Sequence, residues 1–137
     1  MNRFGSVMSC FCVTFIVAMW VFMLMPDDVI ESAMSKIEFE SEYEMFGGYH
    51  YNTLIRKGTL NGFSTCIKNY EPISDHRKAI GDPKQFNLII NEGVKLNLSV
   101  YGVNVHNFSA VETLHNNDKR NSKYYSVNCD LSLLGVN

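Results

Sequence analysis

VKLNLSVYGVNV, residues 94–105, alternates apolar and polar side chains almost without a break. Val94, Leu96, Leu98 and Val100 fall on one side of an extended chain, and Val103 or Val105 continues that side. A period of two is the mark of a strand with one face buried and one wet. No other stretch of the chain carries so clear a pattern, and it sets the fold class as β-rich.

The neighbours of this strand extend the reading. Residues 86–90 are an apolar run, and Asn91-Glu92-Gly93 turns it back into residue 94, which makes an antiparallel pair. Residues 49–55 are aromatic and β-prone. A turn at Lys57-Gly58 or Asn61-Gly62 predicts a hairpin with a second strand over 59–67. Residues 68–84 hold Pro72, Gly81 and Pro83 among polar side chains and read as a loop. HNNDKRNSK, 115–123, reads as a polar exposed loop, and 124–134 as a last strand containing Cys129. About five antiparallel strands with a helix give an α+β domain over residues 47–137.

The chain before residue 47 has a different character. No charge occurs between Arg3 and Asp27, and SVMSCFCVTFIVAMWVFMLM fills residues 6–25. Twenty residues at about 1.5 Å rise cover about 30 Å, one hydrocarbon thickness, so this segment is expected to be a transmembrane helix. Met23-Leu24-Met25-Pro26 offers no small-x-small cleavage site, which argues for an uncleaved anchor. Arg3 precedes the segment and Asp27 and Asp28 follow it. Basic flanks stay in the cytoplasm, so residues 1–5 are expected inside and the domain outside, on the cytoplasmic (inner) membrane.

Pro26 and the acids after it suit the first turn of a second helix. Ile30, Ala33, Met34 and Ile37 recur at helical spacing, Ser41 interrupts the stripe, and Gly47-Gly48 supplies a stop. The expectation is an amphipathic stalk helix over 27–46, with Ile30, Met34 and Ile37 as a partner-binding stripe. Residues 27–46 hold seven acids and one base, whereas ten bases and seven acids follow Gly47. A solvated helix face explains the acidic stretch; a contact for a basic partner is the sharper alternative. The overall net charge of −2 argues against a nucleic-acid surface.

Cys10 and Cys12 lie in the apolar segment and point to opposite sides of a helix. Cys66 and Cys129 are the two cysteines of the outer domain. In an oxidising compartment they are expected to form a disulfide, which closes a loop worth about 4 kcal/mol in the chain-entropy description. No HExxH, CxxC or GxSxG motif occurs, and His50, His76, His106 and His115 are scattered. The chain therefore reads as a binding protein with no catalytic residues, no cofactor and no metal. Asn97-Leu98-Ser99 and Asn107-Phe108-Ser109 match glycosylation acceptors, a frequent chance match in an Asn-rich chain. Tyrosines at 49, 51, 101, 124 and 125 suit either core packing or a binding face.

A tiny N-in tail, one anchor, a stalk and a β-rich outer domain with Cys66 and the late Cys129 resemble the small membrane partners of ToxR-type transcription regulators, the TcpH, ToxS and FidL kind. The resemblance implies binding to another membrane or periplasmic protein, protecting it from proteolysis, with a bile or redox signal as a further input. MNRFG before Ser6, Pro26 and the late cysteine also resemble type IV pilin-like subunits, although Cys10 stands where those carry a Glu. A membrane-tethered immunity protein against a periplasmic toxin is a third class that fits the same layout.

Overall fold

The computed structural model describes residues 12–21, 27–73, 81–90 and 93–135. Residues 12–21 (α1) are helical and their side chains are exposed. The remainder of the expected membrane segment, 6–11 and 22–25, lies outside the described residues. Among the described residues, no helix is long and apolar enough to cross a membrane.

The fold is α+β with an eight-stranded antiparallel sheet. Its strands are β1 (Glu42–Gly47), β2 (Thr53–Thr59), β3 (Glu71–Pro72), β4 (Lys84–Ile90), β5 (Val94–Tyr101), β6 (Asn104–Thr113), β7 (Lys119–Asn121) and β8 (Tyr125–Asp130). They run in the order β2-β1-β4-β5-β6-β8-β3, and β7 pairs beside β6. Two helices, α2 (Asp28–Ser35) and α3 (Gly62–Ile67), join the core that the sheet builds. Val94, Leu96, Leu98 and Val100 are all buried, as their alternation requires. Their cross-strand partners Ile90, Leu88, Ala110 and Phe108 continue the apolar face across β4 and β6. The chain then turns at Gly102, so Val103 is exposed and Val105 returns inward on β6.

The opposite face of the sheet is polar. Gln85 and Ser99 hydrogen-bond across β4 and β5, and Asn97 Nδ2 donates to Ser109 Oγ at 3.2 Å. The two glycosylation-like triplets thus begin within the sheet, on β5 and β6, rather than in loops.

Several expectations are corrected by the pattern of burial and pairing. The helix does not run over 27–46: it ends at Ser35, and Glu42–Gly47 is a sheet strand. Glu42, Tyr43, Glu44 and Met45 alternate exposed and buried, so period two overrides the acid-rich helical reading. Ile30, Met34 and Ile37 accordingly lie in the chain's own core, with Ile37 at 0 % exposure, and form no open partner stripe. The expected strand over 59–67 is also different, because Gly62–Ile67 is a helix. Leu60, Phe63 and Ile67 are buried at a spacing of three and four, a helical repeat that the nearby turn signals obscure. The polar 115–123 segment contains the short strand β7.

A candidate partner-binding edge

Cys66 and Cys129 are joined by a disulfide, with Cα atoms 5.8 Å apart, which ties α3 to β8. The same side of the molecule holds two anchored carboxylates. Asp27 caps α2 by accepting from the Val29 and Ile30 amides, and its Oδ2 accepts from Lys123 N–H and Tyr125 O–H, both at 2.8 Å. Burial alone would raise the Asp27 pKa, but these hydrogen bonds outweigh it and hold the group below its usual range. Glu112 is 2 % exposed and pairs with Lys36, which caps the C-terminus of α2, and with Arg120 from β7, the latter at 2.9 Å. Ser32 O–H donates to the same carboxylate at 2.7 Å. The hydrogen bonds from Lys36 and Ser32 outweigh desolvation and lower the Glu112 pKa to about 2.

These groups have the geometry of a clamp. Their partners lie on α2 and the residue after it, on β7, on β8 and on the link between those two strands, and among the described residues no buried side-chain N or O lacks a hydrogen bond. Among the described residues, no three His, Cys, Asp or Glu gather as a metal site. His50 stacks edge-on against Tyr49, His106 against Tyr101, and His115 is exposed; His76 lies outside the described residues. A cavity of about 230 Å³ lies near the β4–β5 turn, lined by Ile89, Val94, Lys95, Val111, Thr113 and Lys119 among others. It offers two ammonium groups and a hydroxyl but no nucleophile with a base beside it.

The other end of the strand order is built differently. β2 is the terminal strand, and its second half is covered: Gly135 N–H donates to Thr59 O at 2.9 Å, and Arg56 reaches Leu131 O. Its first half, Thr53 to Ile55, has no such cover among the described residues, and Leu54 and Ile55 are each 48 % exposed. A bulge between Met45 and Phe46 in the register leaves Ile55 without a partner on β1. Ile55 and Phe86 close over Gly47 so tightly that a Cβ there would stand 2.5 Å and 2.9 Å from their Cδ1 atoms. Glycine at 47 is what lets these two side chains meet.

The turn leading into this edge is strained. Gly48, His50 and Tyr51 take φ of 78°, 62° and 53°. Positive φ suits glycine, whereas at an aromatic residue it costs on the order of 1–3 kcal/mol and is found where the surroundings enforce it or function uses it. Tyr49 is 84 % exposed and Tyr51 is partly so. An open strand with outward apolar side chains and two exposed tyrosines is suited to receiving an extended segment, with main-chain bonds for affinity and side-chain contacts for choice. The tyrosines and their β-prone run were legible in the sequence. The edge itself was not, because strand order is a tertiary fact. No family model matches this chain, and neither a curated protein nor a solved structure matches it.

Proposed function

We propose that the chain is a non-enzymatic, membrane-anchored partner protein whose outer domain binds another membrane protein through the open half of β2. The observation that supports this reading is the edge at Thr53–Ile55, uncovered among the described residues, where Leu54 and Ile55 are each 48 % exposed and Tyr49 and Tyr51 of the preceding turn are exposed. The uncharged run at 6–25, with Arg3 before it and Asp27 and Asp28 after it, supports an inner-membrane anchor with its N-terminus in the cytoplasm. A tether beside a membrane-bound partner raises the effective concentration, so a small edge interface can be occupied. This is the role that the likeness to the partners of ToxR-type regulators implies.

The test is a photo-crosslinking amino acid at position 54 or 55 of the full chain in native membranes, with position 89 on the polar face as control. A crosslink to a second membrane protein is expected from 54 and 55 and not from 89. Leu54→Lys should abolish it while leaving stability within about 0.5 kcal/mol, since Leu54 is a half-exposed edge residue. A variant that keeps the crosslinked complex would sink the assignment of the edge. Turnover of a substrate by the purified chain would sink the non-enzymatic reading.

A further inference from the structure

We infer that the Ser122–Tyr124 turn sits in the phospholipid headgroup layer, so that the domain rests directly on the membrane and not on a stalk. The inference builds on the anchor reading of residues 6–25. If Met25 ends the span, Asp27 is two residues further on, which is at most about 7 Å of chain. The headgroup layer itself is about 5–8 Å deep on each side of the hydrocarbon. Asp27 therefore lies at headgroup level.

Asp27 is not free to swing there alone. Its carboxylate holds Lys123 N–H and Tyr125 O–H at 2.8 Å, and the helix it caps is packed into the core through Ile30, Ala33 and Met34. Whatever depth Asp27 takes, the turn at 122–124 takes with it. The turn's side chains suit that depth. Tyr124 is 61 % exposed although it neighbours the core residue Tyr125. Tyrosine is favoured at the membrane interface, where its ring meets the acyl boundary and its hydroxyl meets water. Lys123 can lay its stem along the same zone and present its ammonium to phosphate oxygens. Asp28 and Glu31 begin the adjacent helix, so the contact depends on depth and phosphate, not on a net positive patch.

β6, against which α2 packs, is four strands from β2, about 20 Å across the sheet.

The chain has a single tryptophan, Trp20, which makes a depth measurement direct. Full-length protein in phosphatidylcholine nanodiscs is compared in three forms: wild type, Trp20→Phe/Tyr124→Trp, and Trp20→Phe/Ile89→Trp, the last on the face of the sheet away from the helices. A headgroup-attached nitroxide should quench the tryptophan at 124 at least about twice as strongly as that at 89, given the shallow depth of the headgroup layer. An acyl-chain nitroxide should quench Trp20 in the wild type. If Trp20 is quenched and position 124 is quenched no more than position 89, the domain stands off the membrane and this inference is overturned alone. If Trp20 is not quenched, the anchor reading fails and the inference falls with it. Gel-shift alkylation showing an intact Cys66–Cys129 bond verifies that each form is folded.

Discussion

The two true edges of the sheet are finished in opposite ways. β3 is two residues long and contains Pro72, which cannot donate to a further strand. Next to it, β8 is stapled to α3 by the disulfide and held to the start of α2 through Asp27 and Tyr125, and β6 is clamped to α2 through Glu112 and Ser32. β2 at the far end is seven residues long, and among the described residues its first half, with Leu54 and Ile55 half-exposed, has no staple. If the open half of β2 is the partner edge proposed above, one end of the sheet serves stability and the other recognition, and mutations should respect that division.

The largest effect is expected on the stability side. Ile37→Asp places a carboxylate at a position with no exposure and no cation within the core. The cost should be on the order of 5 kcal/mol, comparable to a small domain's whole stability. The variant should fail to accumulate in membranes, as immunoblotting of the full chain would measure. Wild-type levels would mean that α2 is not part of the core.

Cys129→Ser comes next. Opening a loop with a sequence separation of 63 should cost about 4 kcal/mol by the chain-entropy relation. A lowered melting temperature for the detergent-solubilised chain is the readout, and dithiothreitol treatment of the wild type should reproduce it.

Acid should weaken the clamp by a smaller amount. The folded-state pKa of Glu112 is depressed from 4.5 to about 2, so its contribution is present above pH 4.5 and is lost as pH falls from there towards 2. The partly exposed Lys36 and Arg120 screen the pair, which limits the loss to about 2 kcal/mol. Asp27, also depressed, acts in the same direction. Glu112→Gln should flatten the stability profile across that window; an unchanged slope would show that the clamp carries no titrating stabilisation. The smallest stability effect belongs to Leu54→Lys on the open edge, where loss of the partner and not of the fold is the expected phenotype.

Local chemistry determined a good part of this molecule. The alternation of residues 94–100 specified a half-buried strand wherever it sat, because a period of two leaves no other way to segregate apolar from polar side chains. Isolation in one domain paired Cys66 with Cys129, and composition alone marked 6–25 as apolar and uncharged. Tertiary structure decided the rest. Residues 42–45 carry both an acid-rich helical context and an alternating pattern, and only the empty place beside β4 selects the strand. The stripe Ile30, Met34 and Ile37 is equally apolar whether it meets a partner or its own sheet; burial against the sheet core settles it. Edge status belongs to no residue by itself. It arises from strand order, which long-range pairing fixes, and so the open half of β2 became visible only in the folded chain.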